Sequence, residues 1–297
     1  MSPASSTSPT LPFDHVVVVG VGLIGGSIAK ALKARGLARK ITGLGRNRDR
    51  LLAAKQAGLL DAVATSVSEL TPFSLAVVCT PVDRISEDVR ALQAVATPQT
   101  LLTDAGSVKG RICRELSTQP SAASSFLGSH PMAGSEQGGW EHADANLFQG
   151  RVCAVTPLDH SESMIRSIEQ FWSSLGMRTT RLNPEQHDRI VALTSHLPHA
   201  TASAIASLLT QEAWPLAASG FRDTTRVASG DPGLWTSILI ENREAVSRHV
   251  QELIEILQKF VTSLDANHRT EIETLLSHGQ SARDQWIRSS SFPDQRT

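Results

Sequence analysis

Apolar positions fall into two regimes along the chain, and the border lies at Asn183–Pro184. Before it, short β-branched runs recur: VVVVG at 16–20, KITGL at 40–44, LAVVCT at 75–80, LLTDAG at 101–106, SFLGSH at 125–130 and RVCAVTP at 151–157. Each has the length and apolar character of a strand buried in a sheet. Between several of them lie stretches of helical periodicity, such as SIAKALKARG and DRLLAAKQAG, each ending in a glycine suited to a helix C-terminus. Strand–helix alternation predicts an α/β fold with a largely parallel, doubly wound sheet.

Past the border the strand signal stops. Asn183 is a good N-cap and Pro184 a good first helical residue. The stretch from 184 to about 214 is Ala/Leu/Ile-rich, and further helices are predicted over 234–264 and 266–287. In SILIENREAVSRHVQELIEILQKFV the apolar residues occupy more than one helix face. A helix apolar on two sides usually buries one of them against a partner chain, so a homodimer is expected. The predicted organisation is a tail at 1–12, an α/β domain at 13–183, an all-helical domain at 184–290 and a tail at 291–297.

Composition narrows the function classes. A chain of 297 residues suits two domains. A formal net charge of -1 gives no global attraction to nucleic acid or to an anionic membrane. The longest apolar runs fall far short of a bilayer span. The Ser/Thr/Pro-rich start, MSPASSTSPTLP, carries no basic residue and reads as a disordered tail rather than a targeting segment. Cys79, Cys113 and Cys153 show no CxxC spacing and read as buried thiols in a reducing cytoplasm.

The first motif with chemistry is Gly20-Val21-Gly22-Leu23-Ile24-Gly25, set between a buried strand and a helix start. This context turns a weak glycine pattern into a dinucleotide-binding signature. Gly20 allows the tight turn, Gly22 the approach of backbone to a pyrophosphate, and Gly25 close packing of helix on strand. An NAD enzyme usually places an acid about 20 residues further on, to accept from the ribose 2′-hydroxyl. Here Gly45 is followed by Arg46, Asn47 and Arg48. An arginine would pair with a 2′-phosphate, so NADP is favoured over NAD, the alternative being a solvated helix start.

Three further segments concentrate polar chemistry. TDAGSVK, with Ser107, and GSHPMAGSE, with His130, both leave predicted strands at their carboxyl ends, where ligands bind in open α/β sheets. GFRDTTR, at 220–226, is expected as a loop of the helical domain that closes over the crevice. His196 and His199, spaced i and i+3 around Pro198, have no carboxylate or cysteine at ligand spacing, so no metal is expected. Pro198 is expected to kink its helix.

Together, GVGLIGGS, TDAGSVKG, GSHPMAGSEQGG, SHLPHA and GFRDTTRVASGDPGLW, in this order, resemble the prephenate/arogenate dehydrogenase family over nearly the whole chain. The resemblance implies a Rossmann-type doubly wound sheet followed by an all-helical dimerisation domain. It implies oxidative decarboxylation of prephenate, or of its amino analogue arogenate, in tyrosine biosynthesis. By position, His130 is similar to the family's catalytic base and Ser107 to a second partner of the ring hydroxyl. Arg226 matches a carboxylate-binding arginine and His196 a contact of the substrate side chain. Ser135 and Glu136 match an active-site loop, and Trp235 matches an aromatic lent by a neighbouring subunit. Gly20, Gly22, Leu23, Ile24, Gly25, Arg46, Thr80 and Pro81 are the expected cofactor residues. Asp104 and Lys109 are expected to orient the Ser107 turn.

A histidine near its unperturbed pKa suits proton abstraction at neutral pH. The competing readings are another two-domain Rossmann oxidoreductase, such as a 3-hydroxyacid dehydrogenase, and a non-catalytic nicotinamide-binding regulator. The first would usually carry a catalytic lysine in its second domain. The second would need no base at the crevice.

Overall fold

The computed structural model describes residues 13–117, 126–135 and 137–289. The tails expected at 1–12 and 291–297, together with Ser125 and Glu136, lie outside the described residues. Five strands, β1 (Phe13–Val19), β2 (Ala38–Leu44), β3 (Ala62–Ala64), β4 (Leu75–Val78) and β5 (Leu101–Asp104), form a parallel sheet in the order β3-β2-β1-β4-β5. β1 takes the centre because its valines bury both faces. Val16 and Val18 join Ile28 and Leu32 of α1 (Leu23–Ala34) in one core cluster. Helix α2 (Arg48–Gln56) adds Leu51 and Ala54 to the same cluster. Val17 and Val19 join Ile85, Val89 and Leu92 of α3 (Ile85–Gln93) in the other. The period-two alternation of a strand thus covers each sheet face with helices.

Past α4 (Gly110–Ser117) a second sheet follows, of β6 (Gly128–Pro131), β7 (Val152–Thr156) and β8 (Arg178–Arg181). β6 pairs antiparallel with β7, and β7 parallel with β8. A parallel bridge from Leu102 to Phe126, with the Leu127 amide donating to the Leu102 carbonyl at 2.9 Å, ties the start of β6 to β5. The turn after β5 and the end of β6 therefore open on the same side. Helix α5 (Glu162–Ser174) backs this region, and the indole N–H of its fully buried Trp172 donates to Ser129 Oγ at 2.8 Å. The short β3 and β8 went unpredicted. The sequence of β8, RTTR, has no apolar residue to signal a strand.

The helical part begins as predicted. The Asn183 side chain accepts from the Glu185 amide at 2.9 Å and caps α6 (Pro184–Val191). A π-helical turn, Ala192–His196, then leads into α7 (Leu197–Ser207). The irregularity falls just before Pro198, which has no N–H for the ladder. The expected 220–226 loop is instead helical. It forms α8 (Ser219–Thr225), followed by a 3-10 turn, Arg226–Ser229, and both pack on α7. Folding back on α7 lets the segment satisfy its own backbone as helix, so the polar GFRDTTR pattern was misread as a loop. The long helix expected over 234–264 is broken into α9 (Pro232–Glu241) and α10 (Arg243–Asp265), and α11 (Arg269–Ser289) follows. The break is Asn242, at φ -112 and ψ 25, whose side chain turns inward to bond other groups.

The chain divides into two compact units, Met1–Val246 and Ser247–Thr297. The change of residue pattern at Asn183 marks where strands end, while cohesion continues to Val246, with α6 packed on α4 and β7. Within the second unit Ile254, Leu257, Val261, Leu264, Leu276 and Trp286 are all exposed.

Candidate active site

The glycine turn has the shape its sequence implies. Gly20 has φ +84, and a Cβ there would lie 2.9 Å from the Cys79 carbonyl carbon. A Cβ on Gly25 would sit 2.2 Å from the Gly20 oxygen, so only glycine lets α1 lie this close to β1. Gly22, by contrast, faces open space and is the N-cap of α1 without a side-chain cap. No acidic residue occupies the first helical turn, where Leu23 and Ile24 are half-buried. The amides of that turn are therefore offered outward with the positive end of the helix dipole, which fits a pyrophosphate. Thr80 and Pro81 leave β4 directly beside Gly20, and Thr80 Oγ1 donates to Asp88 Oδ2 at 2.6 Å.

Arg46 leaves β2 and is exposed. Its neighbours are engaged: Arg48 lies 3.6 Å from Glu69 and Arg50 lies 3.7 Å from Glu141. The Asn47 side chain caps α2 through the Arg50 amide at 3.0 Å. Arg46 alone of these arginines has no ion-pair partner among the described residues.

The second constellation is buried. Asp104 ends β5, forms a fully buried ion pair with Lys109, and accepts from the Gly106 amide at 2.9 Å and the Ser129 amide at 3.0 Å. This clamps the half-buried Ser107 turn to β6, as its residues implied. One position past Ser129 stands His130, 8% exposed. Its Nδ1 lies 2.9 Å from His187 Nε2, and His187 Nδ1 lies 2.8 Å from Asp188 Oδ1. The amides of Lys109 and Gly110 both donate to the Asp188 carboxylate at 2.8 Å. Desolvation by burial, together with His187, Lys109 and His196, holds His130 well below the ordinary histidine range. The expected near-unperturbed pKa is corrected downward. The imidazole is neutral at pH 7, with its acid form confined to lower pH.

His196 is fully buried on the π-helical turn. The Asn242 amide group donates to the Asp188 carbonyl at 2.8 Å and lies 3.2 Å from His196 Nδ1. Only an NH₂ group can donate to a carbonyl, so His196 Nδ1 is the acceptor and Nε2 carries the proton. Among the described residues that buried Nε2 has no hydrogen-bond partner, and neither has Nδ1 of His199. Burial lowers the His196 pKa to about 4, so it too is neutral.

Trp235 was expected as a residue lent by a neighbouring subunit. In this chain its indole stacks on His199 of its own chain, with centroids 3.5 Å apart at 15°, and meets His196 edge-on at 6.1 Å. A Cβ on Gly230 would fall 2.5 Å from the indole nitrogen, so the turn that Arg226 opens closes tightly on this pair. Arg226 itself is exposed, and Asp223 pairs with Arg222 at 3.4 Å rather than with it. Ser135 is exposed and accepts from the Gln137 amide at 3.2 Å.

The structure thus gathers Gly20, Gly22, Leu23, Ile24, Gly25, Thr80 and Pro81 into one site, and His130, His196 and Trp235 into another cluster. His187, Asp188 and Asn242 were missed. The adjacent His187-Asp188 pair two turns before SHLPHA was the available signal. The three cysteines are free, and burial raises their thiol pKa values, that of Cys113 to about 11. Among the described residues no helix is long and apolar enough to cross a membrane.

A dinucleotide-shaped turn at the switch point of a parallel sheet, together with a buried neutral histidine in β6, defines an α/β dehydrogenase. Residues 28–181 match a family described as prephenate dehydrogenase, nucleotide-binding domain, and residues 183–278 match prephenate dehydrogenase, dimerization domain. The chain belongs to the prephenate dehydrogenase family and is an enzyme, a nicotinamide-dependent oxidoreductase. It is 30% identical over 284 residues to a cyclohexadienyl dehydrogenase of Zymomonas mobilis, covering 91% of this chain and 95% of that one. A solved prephenate dehydrogenase from Aquifex aeolicus, in complex with hydroxyphenyl propionate and NAD+, superposes with a TM-score of 0.85 at 29% identity, over 92% and 98% of the two chains. The arogenate dehydrogenase of Synechocystis gives a TM-score of 0.75, also at 29% identity, over 92% and 99%.

Proposed function

We propose that this protein is a cytoplasmic, homodimeric prephenate dehydrogenase that converts prephenate to 4-hydroxyphenylpyruvate and prefers NADP. The observation that carries the reading is the buried, neutral His130 leaving β6 on the side to which the parallel sheet presents its carboxyl ends. The Gly20–Gly25 turn with Thr80 and Pro81 would hold a nicotinamide cofactor, which would supply the acceptor for the hydride on the hydroxyl-bearing ring carbon. His130 Nε2 accepts the hydroxyl proton as that carbon becomes a carbonyl, with Ser107 as the second partner of the oxygen. Loss of carbon dioxide across the ring leaves its electron pair in the ring, which becomes aromatic. The phenolate oxygen then takes the proton back.

Arg226 is free to bind a substrate carboxylate through its planar guanidinium. Ser135, Glu136 and Trp235 complete the substrate residues of this reading. The His196 Nε2–H is a buried donor with no partner among the described residues. A donor at the side chain suits the keto group of prephenate, whereas the ammonium of arogenate would need an acceptor. The exposed Arg46 supports NADP, because among the described residues it has no ion-pair partner while Arg48 and Arg50 are engaged. The domain limits at 183–184 are supported by the helix cap on Asn183, and the homodimer by the exposed apolar faces of α10 and α11.

The test is a steady-state comparison of prephenate and arogenate, each with NAD and with NADP, followed by reduced-cofactor absorbance. A higher kcat/KM for prephenate and a lower KM for NADP are expected. Turnover of neither substrate would overturn the assignment.

A further inference from the structure

His130 does not stand alone; its inward nitrogen is occupied by a second histidine, which is held in turn by a carboxylate. The Asp188 carboxylate receives amides from Lys109 and Gly110, so it is an acceptor with fixed orientation. It therefore accepts from His187 Nδ1–H at 2.8 Å, which leaves the Nε2 lone pair of His187 as the acceptor on its other side. That lone pair lies 2.9 Å from His130 Nδ1, which must be the protonated nitrogen. The rings meet edge-on, at 75° and 5.1 Å between centroids, so the His187 plane is turned away from stacking. All of these groups are buried.

We propose that His187, held by Asp188, is a positioning residue that fixes His130 as the Nδ1–H tautomer and so keeps its Nε2 lone pair for the substrate proton. The inference rests on His130 being the base. A free histidine favours neither orientation nor tautomer strongly enough to guarantee this. A carboxylate directly behind the base would do the same job while stabilising the imidazolium. Interposing a histidine transmits the orientation across the gap between β6 and α6 without placing a carboxylate directly against the base. His130 is faced by His187 from α6, with Asp188 behind it, by Lys109 from the turn before α4, and by His196 from the π-helical turn.

The test compares two substitutions. His187→Gln can accept from His130 through its carbonyl and donate to Asp188 through its amide, whereas His187→Phe fills the space and does neither. For His187→Phe kcat should fall by about 10²-fold, with KM for prephenate changed by less than about threefold. His187→Gln should recover most of that loss. A purely structural role would lower stability without this split or this rescue.

The second measurement needs no variant. Nitrogen-15 shifts of histidine in the intact enzyme should show His130 protonated at Nδ1 and bare at Nε2. The opposite tautomer overturns the proposal even if His187→Phe fails to fold. Near-normal kcat in a folded His187→Phe overturns it as well. His130→Asn separates the two levels. If it abolishes turnover while His187→Phe behaves as wild type, only the relay falls. If His130→Asn keeps near-normal turnover, the base and the relay fall together.

Discussion

At the β1–α1 turn the chain offers a ligand its backbone, whereas around His130 it offers side chains, and the two regions are built differently for that reason. The cofactor turn works by what is missing: no Cβ on Gly20 or Gly25, no capping side chain at Gly22, no acid in the first helical turn. It remains open, and its one charged candidate, Arg46, is in solvent. Around His130 the ring nitrogens are held by named partners, His130 Nδ1 by His187, His187 Nδ1 by Asp188 and His196 Nδ1 by Asn242, and the groups are drawn from β6, α6, the π-helical turn and the Asn242 break. Backbone recognition tolerates an exposed setting because it uses many weak, equivalent donors. A single base cannot, since its protonation state and tautomer decide whether it works at all. Substitutions near His130 should therefore act on turnover, and those near the cofactor turn on binding.

The largest effect expected from this contrast is His130→Asn, lowering kcat by about 10²–10⁴-fold with little change in KM. The neutral form is the active one. Because burial, His187 and Lys109 lower the His130 pKa, the acid limb of the wild-type rate should lie well below 6.5, and activity should be flat through neutral pH. The limb should vanish in His130→Asn. Next in size is Arg226→Ala. An exposed arginine that grips a carboxylate contributes binding, so KM for prephenate should rise by roughly 10-fold or more, with a smaller change in kcat. If kcat fell in Arg226→Ala while KM held, the division between binding and chemistry would fail.

The same contrast explains what could be read before the fold was known. Gly20, Gly22 and Gly25 are neighbours in sequence as well as in space, so their spacing alone located the cofactor turn. The GSHPMAG segment located His130 but not its environment. His187 lies 57 positions from His130, and Asn242 lies 46 from His196; only the packing of α6 and the break before α10 bring them together. Asn242 carries no local signal, and the adjacent His187-Asp188 pair does not by itself name its partner. Asn242 sits in a run of helical periodicity, which predicted one helix where a buried polar side chain makes two. The GFRDTTR segment shows the converse failure: its polarity reads as a loop, yet contact with α7 makes it helix. Burial also decided the pKa of His130, and burial is a tertiary property.

The buried cluster should make the fold acid-sensitive. His196 has a native pKa of about 4 against 6.5 for an ordinary histidine. The unfolded chain takes up the proton that the native state refuses, so this stability is complete above 6.5 and is lost as pH falls toward about 4. Between about pH 7.5 and pH 5 the loss from His196 alone is about 2 kcal/mol, and His130 adds in the same direction. Urea midpoints at the two pH values measure it. A midpoint that does not fall at pH 5 would mean that these histidines are protonated in the native state, and the buried side of the comparison would be wrong.

The smallest expected effect lies at the open end and tests it most finely. Arg46 is exposed, so any bond it makes to a 2′-phosphate competes with water and is screened by salt. Its contribution therefore belongs at the low end for a charged hydrogen bond, about 1 kcal/mol, or roughly fivefold in KM for NADP. Arg46→Ala should leave KM for NAD unchanged, since NAD has no phosphate there, and should leave kcat unchanged with either cofactor. The NADP effect should shrink as ionic strength rises, because the contact is a surface one. Arg48 and Arg50 are tied to Glu69 and Glu141, so Arg48→Ala should move neither cofactor appreciably. Equal losses for NAD and NADP in Arg46→Ala would mean that the residue shapes the turn after β2 rather than reading the phosphate. The preference for NADP would then rest on the absence of an acid near Gly45, a weaker ground because it removes repulsion without adding attraction.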